Sequence, residues 1–221
     1  SKAKMLWLNY PNNPTGAVVE SDFLKDVVDF ARRHDLLLCY DAPYCDVTYG
    51  DYVAPSVMEV DGAEDVAIEF NSLSKTFNMA GWRLGMAVGN VDALAALAQV
   101  KSNVDSGIFH SLQDAAVEAL SVESAWIADR NAIYLERLRL IVEGLLTLGI
   151  EATLPKAALY VWAPIPAGES SESFARRCLQ QAGVAVAPGP FFGPAGEGYI
   201  RVSATAPTDR IREAMDRLRR L

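Results

Sequence analysis

Residues 5–41 read MLWLNYPNNPTGAVVESDFLKDVVDFARRHDLLLCYD, and their patterning decides the fold. Met5 to Asn9 is a short apolar run entering the turn Tyr10-Pro11-Asn12-Asn13-Pro14-Thr15-Gly16, which is dense in residues that bend a chain. The spacing then predicts a helix. Ser21 stands as its N-cap, Glu20 and Asp22 lie beside its positive end, and Phe23, Val27, Val28 and Ala31 fall on one face. Leu36 to Tyr40 is a second apolar strand that ends at Asp41. Strand–helix–strand order with continuous apolar strands implies a mainly parallel sheet covered on its faces.

The pattern continues outward from this unit. Val66 to Phe70 reads as a third strand ending at Asn71 and Ser72, and Leu84 to Val88 as a fourth, stopped by Gly89-Asn90. Ligands of such sheets sit beyond the carboxyl ends of the strands, which gathers Asn13, Asp41 and Ser72 to Lys75 at one rim. Helices are expected at Val91 to Lys101, Ser111 to Leu120 and about Glu123 to Leu148. Beyond them come strands near Glu151 to Leu154, Leu159 to Ala163, Val184 to Ala187 and Tyr199 to Ser203. A helix around Glu172 to Gln181 and a last one capped by Thr208 complete the chain. The expected organisation is α/β, with a partial large domain over residues 1–130 and a small α+β domain over 131–221.

Composition narrows the function. The 221 residues are 51% hydrophobic and 22% charged, enough to bury a sizeable core. A formal net charge of -8 argues against nucleic acid, whose phosphates call for a basic face. No apolar run is long enough to span a bilayer. Cys39, Cys45 and Cys178 form neither a CxxC pair nor a Cys/His cluster, which suits buried thiols in a reducing cytoplasm better than disulfides or a metal site. A small-molecule partner is expected.

The chemistry concentrates in Ser72-Leu-Ser-Lys-Thr-Phe-Asn-Met-Ala-Gly-Trp-Arg-Leu-Gly85. Two serines precede Lys75, and Arg83 follows it by eight residues. Hydroxyls and a guanidinium fork around one amine suit a phosphate tethered to an aldehyde. The stretch resembles, position for position, the lysine-attachment signature of the class I and II, fold-type I aminotransferases, and the resemblance extends in order along the whole chain.

It implies pyridoxal 5'-phosphate as cofactor and the corresponding fold, part of the large cofactor-binding domain followed by a small carboxy-terminal one. It implies that Lys75 makes the covalent link to the cofactor and that Asp41 pairs with the protonated ring nitrogen. Asn13 and Tyr44 would reach the phenolic oxygen, and Ser72 and Arg83, with Ser74 assisting, would hold the phosphate. Arg201, in Tyr-Ile-Arg-Val-Ser, would grip the substrate's α-carboxylate. The implied reaction moves an amino group from an α-amino acid to a 2-oxo acid such as 2-oxoglutarate, in a cytoplasmic homodimer.

Within the family, the wording Asn-Met-Ala-Gly-Trp-Arg-Leu-Gly and the opening Leu-Asn-Tyr-Pro-Asn-Asn-Pro-Thr-Gly resemble most the LL-diaminopimelate and N-succinyl-diaminopimelate enzymes of bacteria, with aspartate and alanine aminotransferases sharing much of it. The stretch Pro155 to Trp162 departs from the usual form, where a glycine and a phenylalanine are common near Ala157 and Leu159. The resemblance also implies a further amino-terminal region in relatives, supplying a Gly/Ser phosphate loop, a ring-stacking aromatic and a tyrosine lent by the partner subunit. No counterpart of these stands here. A partial chain with unpaired sheet edges and uncovered apolar surface is therefore expected. Two other readings share these residues: a fold-type I lyase or decarboxylase, and a non-catalytic module retaining the fold.

Overall fold

A computed structural model describes residues 2–221. Four strands build the first sheet: β1 (Met5–Asn9), β2 (Leu37–Asp41), β3 (Ala67–Ser72) and β4 (Gly85–Gly89), in that spatial order. β1, β2 and β3 pair in parallel, with Asn9 opposite Asp41 and Asp41 opposite Phe70, whereas β4 runs antiparallel to β3, with Gly85 opposite Ser72. The antiparallel strand follows from the connection. Only the single turn of helix α2 (Leu73–Thr76) and the loop around Gly81 separate β3 from β4, with no helix long enough to carry the chain back along the sheet to a parallel start.

The chain divides into two compact units. One comprises the residues through Pro11 together with Val18–Ile127, and the other Asn12–Ala17 with Ala128–Leu221. In the first unit, helix α1 (Ser21–Arg33) buries Leu24, Val28 and Ala31 in a core with Leu38, Tyr40, Val57 and Ala67. Phe23, expected on the buried face, is 40% exposed and packs edge-on against Tyr10, because the stripe 24-28-31 points inward one residue further round. The cap differs too: Glu20 is the N-cap, with no side-chain cap bond, and Ser21 is the first helical residue. A smaller cluster of Leu73, Met79 and Leu84 lies beneath the segment that carries Lys75.

Much apolar surface of this unit stays open. Met5 and Trp7 on β1 and Met86 and Val88 on β4 are exposed, and these are the two edge strands of the sheet. Helices α3 (Val91–Val104) and α4 (His110–Leu120) bury no residue fully, although α3 carries Val91, Leu97, Val100 and Val104 outward. The expectation of open edges and uncovered apolar surface matches this arrangement.

The second unit packs part of helix α5 (Ser124–Leu146), α6 (Ser171–Ala182) and α7 (Thr208–Leu218) with a sheet ordered β5-β7-β6. Its strands are β5 (Tyr160–Pro164), β6 (Ala187–Pro188) and β7 (Tyr199–Ser203), with β7 antiparallel to both neighbours. No strand forms at 151–154, and the strand expected from Val184 shrinks to two residues. Its first residue is diverted: α6 ends at left-handed Gly183, and the Val184 N–H closes that end by donating to Cys178 O at 3.1 Å. Pro207, not Thr208, caps α7, and the Thr208 hydroxyl instead accepts from Arg137 Nε at 3.1 Å. Among the described residues, no helix is long and apolar enough to cross a membrane.

Candidate active site

In the first unit, β2 and β3 end at Asp41 and Ser72, the rim position that parallel topology assigns to ligands. Asp41 is half-buried, and Asn9 Nδ2 donates to its backbone oxygen at 2.9 Å and to Oδ2 at 3.1 Å. Burial raises the Asp41 pKa above the ordinary carboxylate value, and the bond from Asn9 opposes that rise. Tyr44 is buried in the loop beyond β2, and Lys75 Nζ lies 5.9 Å from its ring centroid.

Ser72 caps α2. Its Oγ accepts from the Ser74 N–H at 3.2 Å and donates to Leu84 O at 3.4 Å. Ser74 is itself buried. Arg83 stands apart in character. It adopts a left-handed backbone conformation at φ 57°, is exposed, and donates Nη1 to Ala80 O at 2.8 Å. A non-glycine residue there is costly, which makes the site an unusual one for the chain to fix.

In the second unit, Arg201 projects from β7. Its guanidinium carbon sits 4.3 Å from the ring centroid of Tyr160 and 4.4 Å from that of Phe192. Nη1 donates to Asn13 Oδ1 at 2.7 Å, and the buried Nε has no hydrogen-bond partner. A flat cation between two rings is fixed in plane and direction, and an orphaned N–H of this kind calls for an acceptor.

Several residues that shape these arrangements escaped the sequence reading. Tyr160 and Phe192 are two, and the buried carboxylate of Glu69 in β3 is a third. Glu69 accepts from Ser56 Oγ at 2.6 Å, Val57 N at 2.9 Å and Asn71 Nδ2 at 2.8 Å. The available signal was a charged residue between Ile68 and Phe70 in an apolar strand, because a buried charge must find partners.

The sequence profile described as "Aminotransferase class I and II" matches residues 1–218. The chain is 48% identical over 220 residues to the LL-diaminopimelate aminotransferase of Syntrophobacter fumaroxidans, covering 100% of this chain and 57% of that protein. Among solved structures, apo-BacF from Bacillus subtilis is 38% identical with a TM-score of 0.94, over 99% of this chain and 59% of that one. A probable N-succinyldiaminopimelate aminotransferase from Thermus thermophilus is 38% identical with a TM-score of 0.92, over 99% of this chain and 59% of that one. The chain thus spans a little over half the length of the relatives it matches. A profile match over nearly every residue, joined to a shared backbone, places it: the chain belongs to the class I and II aminotransferases, enzymes that depend on pyridoxal 5'-phosphate.

Proposed function

We propose that this chain is the lysine-bearing part of an aminotransferase that moves the amino group of LL-diaminopimelate, or a closely related α-amino acid, to 2-oxoglutarate. The 48% identity to an enzyme named for that donor supports the choice of substrate. The observation that carries the reading is Arg201, a guanidinium locked between two rings with a buried N–H lacking an acceptor. A substrate carboxylate supplies the missing oxygen, and the fixed fork orients the amino acid so that one Cα bond is presented for breaking. The reading extends to a cytoplasmic homodimer, in keeping with three unpaired cysteines.

The donor set of the first unit fits pyridoxal phosphate: an amine, a phenol beside it, neighbouring hydroxyls and a half-buried acid held by an amide. When bound, that group supplies an aldehyde for an amine and a ring that draws electrons from the substrate's Cα. Lys75 would provide the attaching amine and then carry a proton at that carbon. Asp41 would hold the proton at the ring nitrogen as a carboxylate, the ring's positive charge countering the burial that raises its pKa. Tyr44 would donate to the phenolic oxygen, while Ser72, Ser74 and Arg83 bind phosphate. For Arg83 this requires exchanging Ala80 O for the anion.

Borohydride reduction of the complete, cofactor-loaded protein followed by peptide mapping tests this directly. A label at Lys75 is expected, along with glutamate formation from LL-diaminopimelate and 2-oxoglutarate. Ammonia and an oxo acid without glutamate would mean a lyase instead.

A further inference from the structure

We propose that Glu69, Asn71, Cys45, Asp46 and Thr76 form a hydrogen-bonded staple that holds the segments bearing Tyr44 and Lys75 at a fixed separation. The inference rests on the functional reading above and assigns these five residues a positioning role, none of them touching the reacting atoms.

The geometry is specific. Cys45, the neighbour of Tyr44, donates Sγ to Asn71 Oδ1 at 3.1 Å, and Thr76, the neighbour of Lys75, donates Oγ1 to Asp46 Oδ2 at 2.8 Å. Each cross-link therefore sits one residue from a side chain of the chemistry, and together they tie the loop after β2 to the end of β3 and to α2. Asn71 is oriented in turn by Glu69 Oε1, whose second oxygen is held by Ser56 Oγ and the Val57 N–H. Thr76 and Glu69 are both buried, so water is no cheap substitute for the bonds that these two make. The Cys45 thiol is correspondingly unreactive: burial first, then the nearby charges of Asp46 and Glu69, push its pKa up to about 12.

Glu69 is the residue whose replacement discriminates. In Glu69→Gln one carboxylate oxygen becomes an NH2 group. Turned toward Val57 it meets a backbone donor that cannot move. Turned toward Asn71 it forces that amide to flip, presenting Nδ2 to Cys45 and leaving the thiol only its longer bond to Asp46 Oδ2 at 3.6 Å. Because the Asn71 amide can turn and the Val57 N–H cannot, the second arrangement prevails, and the cross-link to Cys45 weakens. Thr76→Val keeps the shape of the side chain and removes only the second cross-link, so it tests the staple even if Glu69→Gln folds poorly.

Two measurements on the complete protein decide the matter. Alkylation by iodoacetamide, followed site by site in cofactor-free protein, should accelerate at Cys45 in Glu69→Gln by roughly 5- to 30-fold, the factor expected for losing one buried hydrogen bond. Cys39 and Cys178, both buried, serve as controls and should stay at wild-type rates. In Thr76→Val, pyridoxal phosphate should bind roughly 5- to 30-fold more weakly, with a smaller visible circular-dichroism band from the bound cofactor. A Cys45 rate unchanged in Glu69→Gln, or wild-type affinity and dichroism in Thr76→Val, would overturn the staple. Absence of a borohydride label at Lys75 in the wild type would instead sink the functional reading and the positioning role with it. The alkylation result, obtained without cofactor, separates that failure from a failure of the bonding itself.

Discussion

Arg201 Nη1 donates to Asn13 Oδ1 at 2.7 Å, joining residues 188 positions apart in the sequence. The bond fixes one edge of a guanidinium whose faces are already covered by Tyr160 and Phe192. What remains is a directed donor edge with one buried N–H unanswered.

Arg201→Lys should therefore lose more than a charge-preserving change normally does. An ammonium can neither fill the slot between two rings nor offer parallel donors to a carboxylate. The amino donor should bind about 10- to 100-fold more weakly, as loss of one charge-assisted contact predicts. Steady-state KM for LL-diaminopimelate in the complete enzyme measures it, and a KM within twofold of wild type, about the spread of single-contact effects, would count against the assignment.

Asp41 gives a pH prediction. Its folded pKa lies above the ordinary value, so the folded state binds more protons than the unfolded one between those two limits. Stability should then fall as pH rises from the ordinary carboxylate range through the raised value, and recover as pH is lowered. Asp41→Asn removes that dependence while Asn9 can still donate to the amide oxygen. Urea midpoints of cofactor-free protein across that window should be flatter for Asp41→Asn, and cofactor affinity should be lower. Parallel midpoint curves for the two proteins would contradict the assignment.

Two glycines separate a rigid clash from a yielding one. A Cβ on Gly189 would stand 1.8 Å from Gly196 O, backbone on backbone, whereas one on Gly144 meets the flexible side chain of Met215 at 2.6 Å. Gly189→Ala should cost about 1–3 kcal/mol or more, as overpacking does. Gly144→Ala should cost less, because Met215 Cγ and Sδ can turn away and alanine favours the helix by roughly 1 kcal/mol over glycine, although Met215 Cβ at 2.8 Å obliges the two helices to shift as well. Thermal or urea unfolding ranks them, and equal losses would refute the distinction.

Ser171 is fully buried, and its Oγ accepts from the N–H groups of Gly198 at 2.9 Å and Tyr199 at 3.1 Å. Ser171→Ala leaves both donors without that acceptor at the entry to β7, the strand that bears Arg201. A destabilisation of about 1–3 kcal/mol is expected from denaturant midpoints. A loss below about 0.5 kcal/mol, the range of ordinary surface changes, would show that other acceptors replace it.

The exposed apolar strand edges carry a prediction for this chain taken alone. Trp7, Met86 and Val88 face outward, and the relatives it matches are nearly twice as long. The 221-residue polypeptide by itself should bind pyridoxal phosphate weakly or not at all. A strong absorbance band of bound cofactor that disappears in Lys75→Ala would contradict this.

The amino-acid sequence by itself determined the order of the four strands and long helices of the first unit, the strand ends at Asp41 and Ser72, and the lysine segment, because each is written in local periodicity, turn residues and a contiguous motif. It also pointed to Arg201, through the resemblance of Tyr-Ile-Arg-Val-Ser to a segment of the family. Only the tertiary structure decided that Asn13 meets Arg201, that Tyr160 and Phe192 lie against the guanidinium, and that Glu69 accepts from Ser56, Val57 and Asn71. These depend on contacts between residues distant in the chain, where the partner of a buried charge or an amide is chosen by geometry and leaves no periodic trace. The caps at Glu20 and Pro207 went the same way: Ser21 and Thr208 have the right chemistry for a cap, but both lie one residue inside their helices, and the Thr208 hydroxyl is taken by Arg137.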